Sequence, residues 1–144
     1  MKLEDIFTMW DEDSVIDKQN LSDEALKISK LHHKYYRIYV NEKLTLRKYE
    51  SDLKVLKKDK FEFYTQGPTE ETHQMGWRLP PIGKILRSDA GVYVDTDTDV
   101  VNLALKIGIQ HEKVDFLESI LKSLVNRGFN IKAAIEFEKF KMGI

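Results

Sequence analysis

Residues 1–66 contain neither glycine nor proline. Such a stretch lacks the two residues that most readily break a helix. From Leu21 onward, alternate steps of four and three residues reach Leu21, Ala25, Ile28, His32, Tyr35, Tyr39, Glu42, Leu46, Tyr49, Leu53, Leu56, Lys60 and Phe63. Ten of these thirteen are apolar or aromatic, the exceptions being His32, Glu42 and Lys60. A heptad sustained that long predicts one helix packed along another. At about 1.5 Å per residue it would run roughly 65 Å. No small domain buries such a length alone, so a neighbour is implied. Asn20 or Ser22 can cap the helix, Asp23 and Glu24 suit its first turn, and Gly67-Pro68 ends it.

The flanking segments are read in the same way. A short helix over roughly 2–10 is expected through Leu3, Ile6, Phe7 and Trp10, followed by a loop around Asp11–Asn20. Gly67 to Gly91 is irregular, with Trp77, Pro80, Pro81 and Gly83 marking turns. Apolar alternation in Lys84–Arg87 and Val92–Asp95, around Ser88–Gly91, suggests a small β-hairpin. A second heptad, Val100, Leu103, Ile107, Gln110, Val114, Leu117, Leu121 and Leu124, predicts a helix from about Asp97 to Asn126. Gly128 reads as its stop in the left-handed conformation, with Asn130 capping a last short helix over Ile131–Phe140. The expected fold is mainly α: long heptad-patterned helices, a small β-hairpin and a short C-terminal oligomerisation helix. The expected domains are a helical DNA-binding body over 1–127 and that terminal helix over 128–144.

Several chemistries find no support. The chain has no cysteine, which excludes disulfides and thiolate metal sites. Asp95-Thr96-Asp97-Thr98-Asp99 opens like a calcium loop, but Val100 stands where glycine is needed and Lys106 where glutamate is needed. Its acids fit a helix start better. His32 and His33 are adjacent, so they point about 100° apart on a helix and form no chelate. No phosphate-cradling glycine loop or nucleophile motif is present, so neither an enzyme nor a cofactor is expected. No signal peptide and no membrane span are expected, and a cytoplasmic location is the default.

Charge is segregated. Residues 1–26 hold two cations and eight acids, a net of −6, whereas residues 27–60 hold eleven cations and four acids, a net of +7. This suggests a polyanion-binding segment beside an acidic one. The basic-aromatic run Lys54 to Tyr64 is the best candidate, because single-strand binders combine cations that track phosphates with rings on which bases stack. Lys43, Arg47, Lys54 and Lys57 each follow a heptad position and share one side stripe; Lys58 and Lys60 widen it. Phe61 and Tyr64 are the candidate stacking rings. Phe63, on the heptad line, reads as core. For Lys58, Lys60 and Tyr64 the pattern leaves DNA contact and an ordinary structural role equally open. In the terminal helix, Phe129, Ile131, Ala134, Ile135, Phe137 and Phe140 are apolar on more than one side and are the candidate self-association residues.

A resemblance adds to this reading. Phe116-Leu117-Glu118, Lys122, Asn126 to Lys132, Ile135 to Phe140 and Gly143 are similar to the C-terminus of the T-even-type phage recombination mediators, the UvsY family. Leu3-Glu4-Asp5, Lys58 to Tyr64 with Gly67, and Val92–Thr96 are similar too. The resemblance implies a non-catalytic, ring-like homo-oligomer, a heptamer in the best-known relative. It implies binding to single-stranded DNA, a phage recombinase and a phage single-strand-binding protein in an infected bacterium, to load the recombinase onto covered strands. It places the family's DNA-contacting basic pair on Lys58 and Lys60, where the second residue is usually Arg. Phe63 stands where Tyr is usual, and His73–Lys84 departs from the family pattern. The alternative function is a structural helical adaptor that binds no nucleic acid.

Overall fold

The computed structural model describes residues 1–144. Five helices follow one another: α1 (Leu3–Asp13), α2 (Leu21–Gln66), α3 (Glu70–Gln74), α4 (Ala90–Asp95) and α5 (Thr98–Lys141). They form two compact units. The first contains Met1–Leu44 and Ile109–Ile144, the second Thr45–Gly108. No helix is long and apolar enough to cross a membrane.

The heptad positions face inward as the sequence predicts. Every α2 position named above except Ala25 is buried or half-buried, and so is every α5 position. At Ala25 the stripe slips by one residue: Glu24 is buried instead, with Lys27 Nζ 3.2 Å from its carboxylate. The α5 stripe also continues past its predicted end, through Arg127 to Ile131.

In the first unit, Ile6 of α1 enters a core made by Tyr35 of α2 and Leu117, Ile120 and Leu124 of α5. Trp10 meets the Tyr35 ring edge-on at 5.4 Å, and Phe7 meets Phe116 at 4.6 Å. Gln110 of α5 donates through Nε2 to the Glu42 carboxylate (2.6 Å) and backbone carbonyl (2.8 Å) on α2. One polar exception in each heptad therefore satisfies the other. Arg127 donates to the carbonyls of Asp13 (3.2 Å) and Ser14 (3.1 Å), acceptors left without helical partners where α1 ends. Lys34 Nζ and the Tyr35 hydroxyl both donate to the Asp13 carboxylate at 2.7 Å. Burial would raise the Asp13 pKa, but those two hydrogen bonds and the nearby positive charges hold it below the usual carboxylate range.

The second unit centres on Phe63, Tyr64, Ile85, Ala90, Val94 and Val100. Gly67 ends α2 with φ of 96°, a conformation open mainly to glycine, and a Cβ there would lie 2.9 Å from Lys84 Cε. Ile85 N–H then donates to the Tyr64 carbonyl (2.8 Å), tying the returning loop to the last turn of α2.

Two expectations are corrected. No β-hairpin forms: Ser88–Gly91 is no strand turn, and Ala90–Asp95 is the helix α4. Ala90 and Val94, four residues apart, both face the core from it. A helix satisfies its own backbone there, whereas an isolated two-stranded ribbon is marginal in water. The short C-terminal helix does not exist as a separate element either. Gly128 lies inside α5, does not have positive φ, and no stop occurs before Lys141. A Cβ added at Gly128 would lie 3.8 Å from Ile28 Cδ1, an ordinary van der Waals distance. Gly128→Ala is therefore expected to stabilise the chain, by roughly 0.5–1 kcal/mol in chemical denaturation, because it removes a flexible residue from a helix interior. A loss of stability would instead indicate a left-handed cap at this position.

Candidate nucleic-acid interface

The basic-aromatic run divides between the interior and the surface of the second unit. Lys60 lies on the heptad line and is only 3% exposed. Its Nζ sits 2.8 Å from Asp99 Oδ2, 3.2 Å from Asp97 Oδ2, and 3.8 Å from the centroid of the Trp77 ring. The Tyr64 hydroxyl donates to the same Asp97 oxygen at 2.6 Å. Asp97 also caps α5, accepting from the N–H groups of Asp99 (2.9 Å) and Val100 (3.3 Å), the role expected for acids at this helix start. Burial works against ionisation of Asp97, but the Tyr64 hydrogen bond and the Lys60 charge outweigh it and lower its pKa. Burial and the adjacent Asp97 carboxylate push the Tyr64 hydroxyl well above its ordinary range.

The segment 69–79 supplies the cover. Thr69 and Thr72 form reciprocal side-chain to backbone hydrogen bonds that start α3 (2.7 and 3.2 Å). Trp77 N–H donates back to the Thr72 carbonyl at 3.1 Å. The Trp77 ring is thereby held over Lys60 and edge-on to Phe63 at 5.5 Å. Lys60 and Tyr64 are consequently buried, which favours the structural of the two roles that the pattern left open. A phosphate would have to displace two carboxylates to reach Lys60. The contributions of Trp77, Asp97 and Asp99 were missed in the sequence. The available signal was a lysine on a heptad position, which demands buried counter-charge.

The other candidates lie outside. Arg47, Lys54, Lys57 and Lys58 are exposed on α2. Lys57 approaches Asp95 at 3.6 Å and Lys58 approaches Glu62 at 4.0 Å, all four side chains being largely solvated. Exposed pairs of this kind are readily exchanged for another anion. Phe61 is half-buried, with the Arg87 guanidinium 5.2 Å from its ring centroid. Lys43 belongs to the first unit, exposed and 5.4 Å from the Tyr39 ring centroid. The self-association set also divides: Ile131 is buried in the first unit, Ala134 and Ile135 are half-buried, and Phe129, Phe137 and Phe140 are exposed.

Residues 9–144 match the family described as "Recombination, repair and ssDNA binding protein UvsY". The chain belongs to the UvsY family. Three crystal structures of the bacteriophage T4 recombination mediator protein UvsY share the fold. One aligns at 22% identity with a TM-score of 0.83, covering 99% of this chain and 98% of that one. The second gives 0.79 at 22%, covering 98% and 99%. The third gives 0.81 at 21%, covering 95% and 98%. No curated protein shows a significant sequence match.

Removing Lys60 would leave two carboxylates beside a ring with no cation. Lys60→Met is therefore expected to cost about 3–5 kcal/mol in denaturant-induced unfolding. Because the folded pKa of Asp97 is depressed, its stabilisation is present above the ordinary carboxylate pKa and is lost as pH falls through the folded value. Asp97→Asn should accordingly flatten the acid limb of a plot of unfolding midpoint against pH. A limb unchanged by this substitution would exclude Asp97 as a contributor.

Proposed function

We propose that the chain is a non-catalytic recombination mediator that binds single-stranded DNA as a homo-oligomeric ring, a heptamer. It helps load a phage recombinase onto strands covered by the phage single-strand-binding protein, in the cytoplasm of an infected bacterium. The observation that carries the DNA-binding part is the row of exposed cations Arg47, Lys54, Lys57 and Lys58 beside Phe61 and Arg87, in a member of a family described as binding single-stranded DNA. Phosphates would replace the weak partners of Lys57 and Lys58, releasing counterions. Phe61, already under a guanidinium, offers the ring for base stacking that buried Tyr64 does not. Lys60 supports the surface from below by holding α5 and the Trp77 segment in place. Weak contacts repeated around a ring would add through effective concentration.

Replacing Lys54, Lys57 and Lys58 together by alanine is expected to weaken oligonucleotide binding. It should also reduce the log–log salt slope by about 0.7 per lost phosphate contact. An unchanged slope would favour a structural adaptor instead.

For self-association, the exposed apolar groups Phe129, Phe137 and Phe140 support a contact with a second copy. Changing these three to serine spares the buried Ile131. It should lower the solution mass in analytical ultracentrifugation, with retained helicity by circular dichroism; a variant of full assembly mass would place the subunit contact elsewhere.

A further inference from the structure

A second cationic feature lies in the first unit and contains none of the residues assigned to DNA. Lys27, Lys30, Lys34 and Arg37 of α2 follow steps of three, four and three, so they form one row on the helix. They border a groove of about 740 Å³ that also contains the half-buried side chains of Leu31 and Ile38. Two of the four cations are engaged within the chain, Lys27 by Glu24 and Lys34 by Asp13. Lys30 and Arg37, both exposed, make no ion pair in the chain. The groove thus carries uncompensated positive charge along an apolar floor.

We propose that this groove docks an acidic amphipathic segment of a partner protein. Leu31 and Ile38 are seven residues apart, about 10.5 Å along the axis at about 1.5 Å per residue. That spacing matches apolar anchors one heptad apart on a docking helix. Carboxylates flanking those anchors would meet Lys30 and Arg37, whose guanidinium can hold one bidentately. The lining contains no Phe, Tyr or Trp, its one ring being the exposed His33 imidazole, and a nucleic-acid strand would have no use for the apolar floor of Leu31 and Ile38. Charge and floor together favour a peptide over a strand. The groove's residues lie outside the DNA row, and this docking function does not depend on the DNA-binding reading.

The test uses the full chain and three labelled probes in fluorescence anisotropy: a helix-forming peptide rich in Glu with Leu at i and i+7, the same peptide with Ser for Leu, and oligo-dT. The wild-type chain should bind the first peptide and bind the Ser version at least tenfold more weakly. Lys30→Glu with Arg37→Glu, both at exposed positions, should weaken binding of the Leu peptide at least tenfold, leaving oligo-dT affinity and solution mass unchanged. The proposal is overturned if the wild-type chain does not bind the Leu peptide or binds the Ser peptide equally well. It is also overturned if the double variant keeps peptide affinity. Loss of oligo-dT binding in that variant would assign the groove to nucleic acid. A changed mass would assign it to contact between copies.

Discussion

The pairing of Gln110 with Glu42 fixes how α5 lies along α2 in the first unit. Apolar stripes alone tolerate sliding by a heptad, because each step presents similar side chains to similar holes. A buried amide that donates twice to one residue does not tolerate it, since a shifted register would leave a carboxylate and an amide without partners. In the second unit Lys60 has the same effect. It lies on the same α2 stripe and requires Asp97 and Asp99, at the start of α5, to be opposite it. Polar exceptions within the two heptads thus specify what the apolar positions only permit.

The two units solve the problem of a buried cation with similar chemistry. In one, Arg127 lies 5.4 Å from the Trp10 ring centroid and donates to the carbonyl of Asp13, whose carboxylate accepts from Tyr35. In the other, Lys60 lies under Trp77 and binds Asp97, which accepts from Tyr64. Each combines an indole face, a carboxylate and a tyrosine hydroxyl. The indole covers the cation without competing for its hydrogen bonds, and the hydroxyl gives the carboxylate a further donor. No buried side-chain polar atom is left without a partner, which is the condition under which such groups can remain inside.

This arrangement divides the lysines of one helix into two kinds. Lys60 is committed to internal carboxylates. Lys54, Lys57 and Lys58, within two turns of it, remain in water with weak partners or none at all. Asp97 and Asp99 are engaged by Lys60, and Lys57 and Lys58 have only the exposed Asp95 and Glu62 beside them.

The two long helices were legible in the sequence because a period of 3.5 residues is a local property, repeated until chance is excluded. The inward positions, the end of α2 at Gly67 and the capping role of Asp97 followed from the same local rules. The family was legible in the residues near the C-terminus. Three things were not. Gly128 looked like a stop because glycine suits a left-handed cap, yet it lies inside α5 without positive φ, where a side chain would meet only Ile28 at van der Waals distance. The apolar alternation of residues 84–95 suggested strands, but there was no sheet for them to join, and Ala90 and Val94 became one face of α4. For Lys60 and Tyr64 the pattern left DNA contact and a structural role equally open, although Lys60 already occupied a heptad position. The sequence by itself determined the helices and their apolar faces, because these arise from interactions among residues at most a few turns apart. Only the tertiary structure decided which cation is buried and which is free, because the partners that decide it, Trp77, Asp97 and Asp99, are distant in the chain and reach Lys60 only when the helices pack.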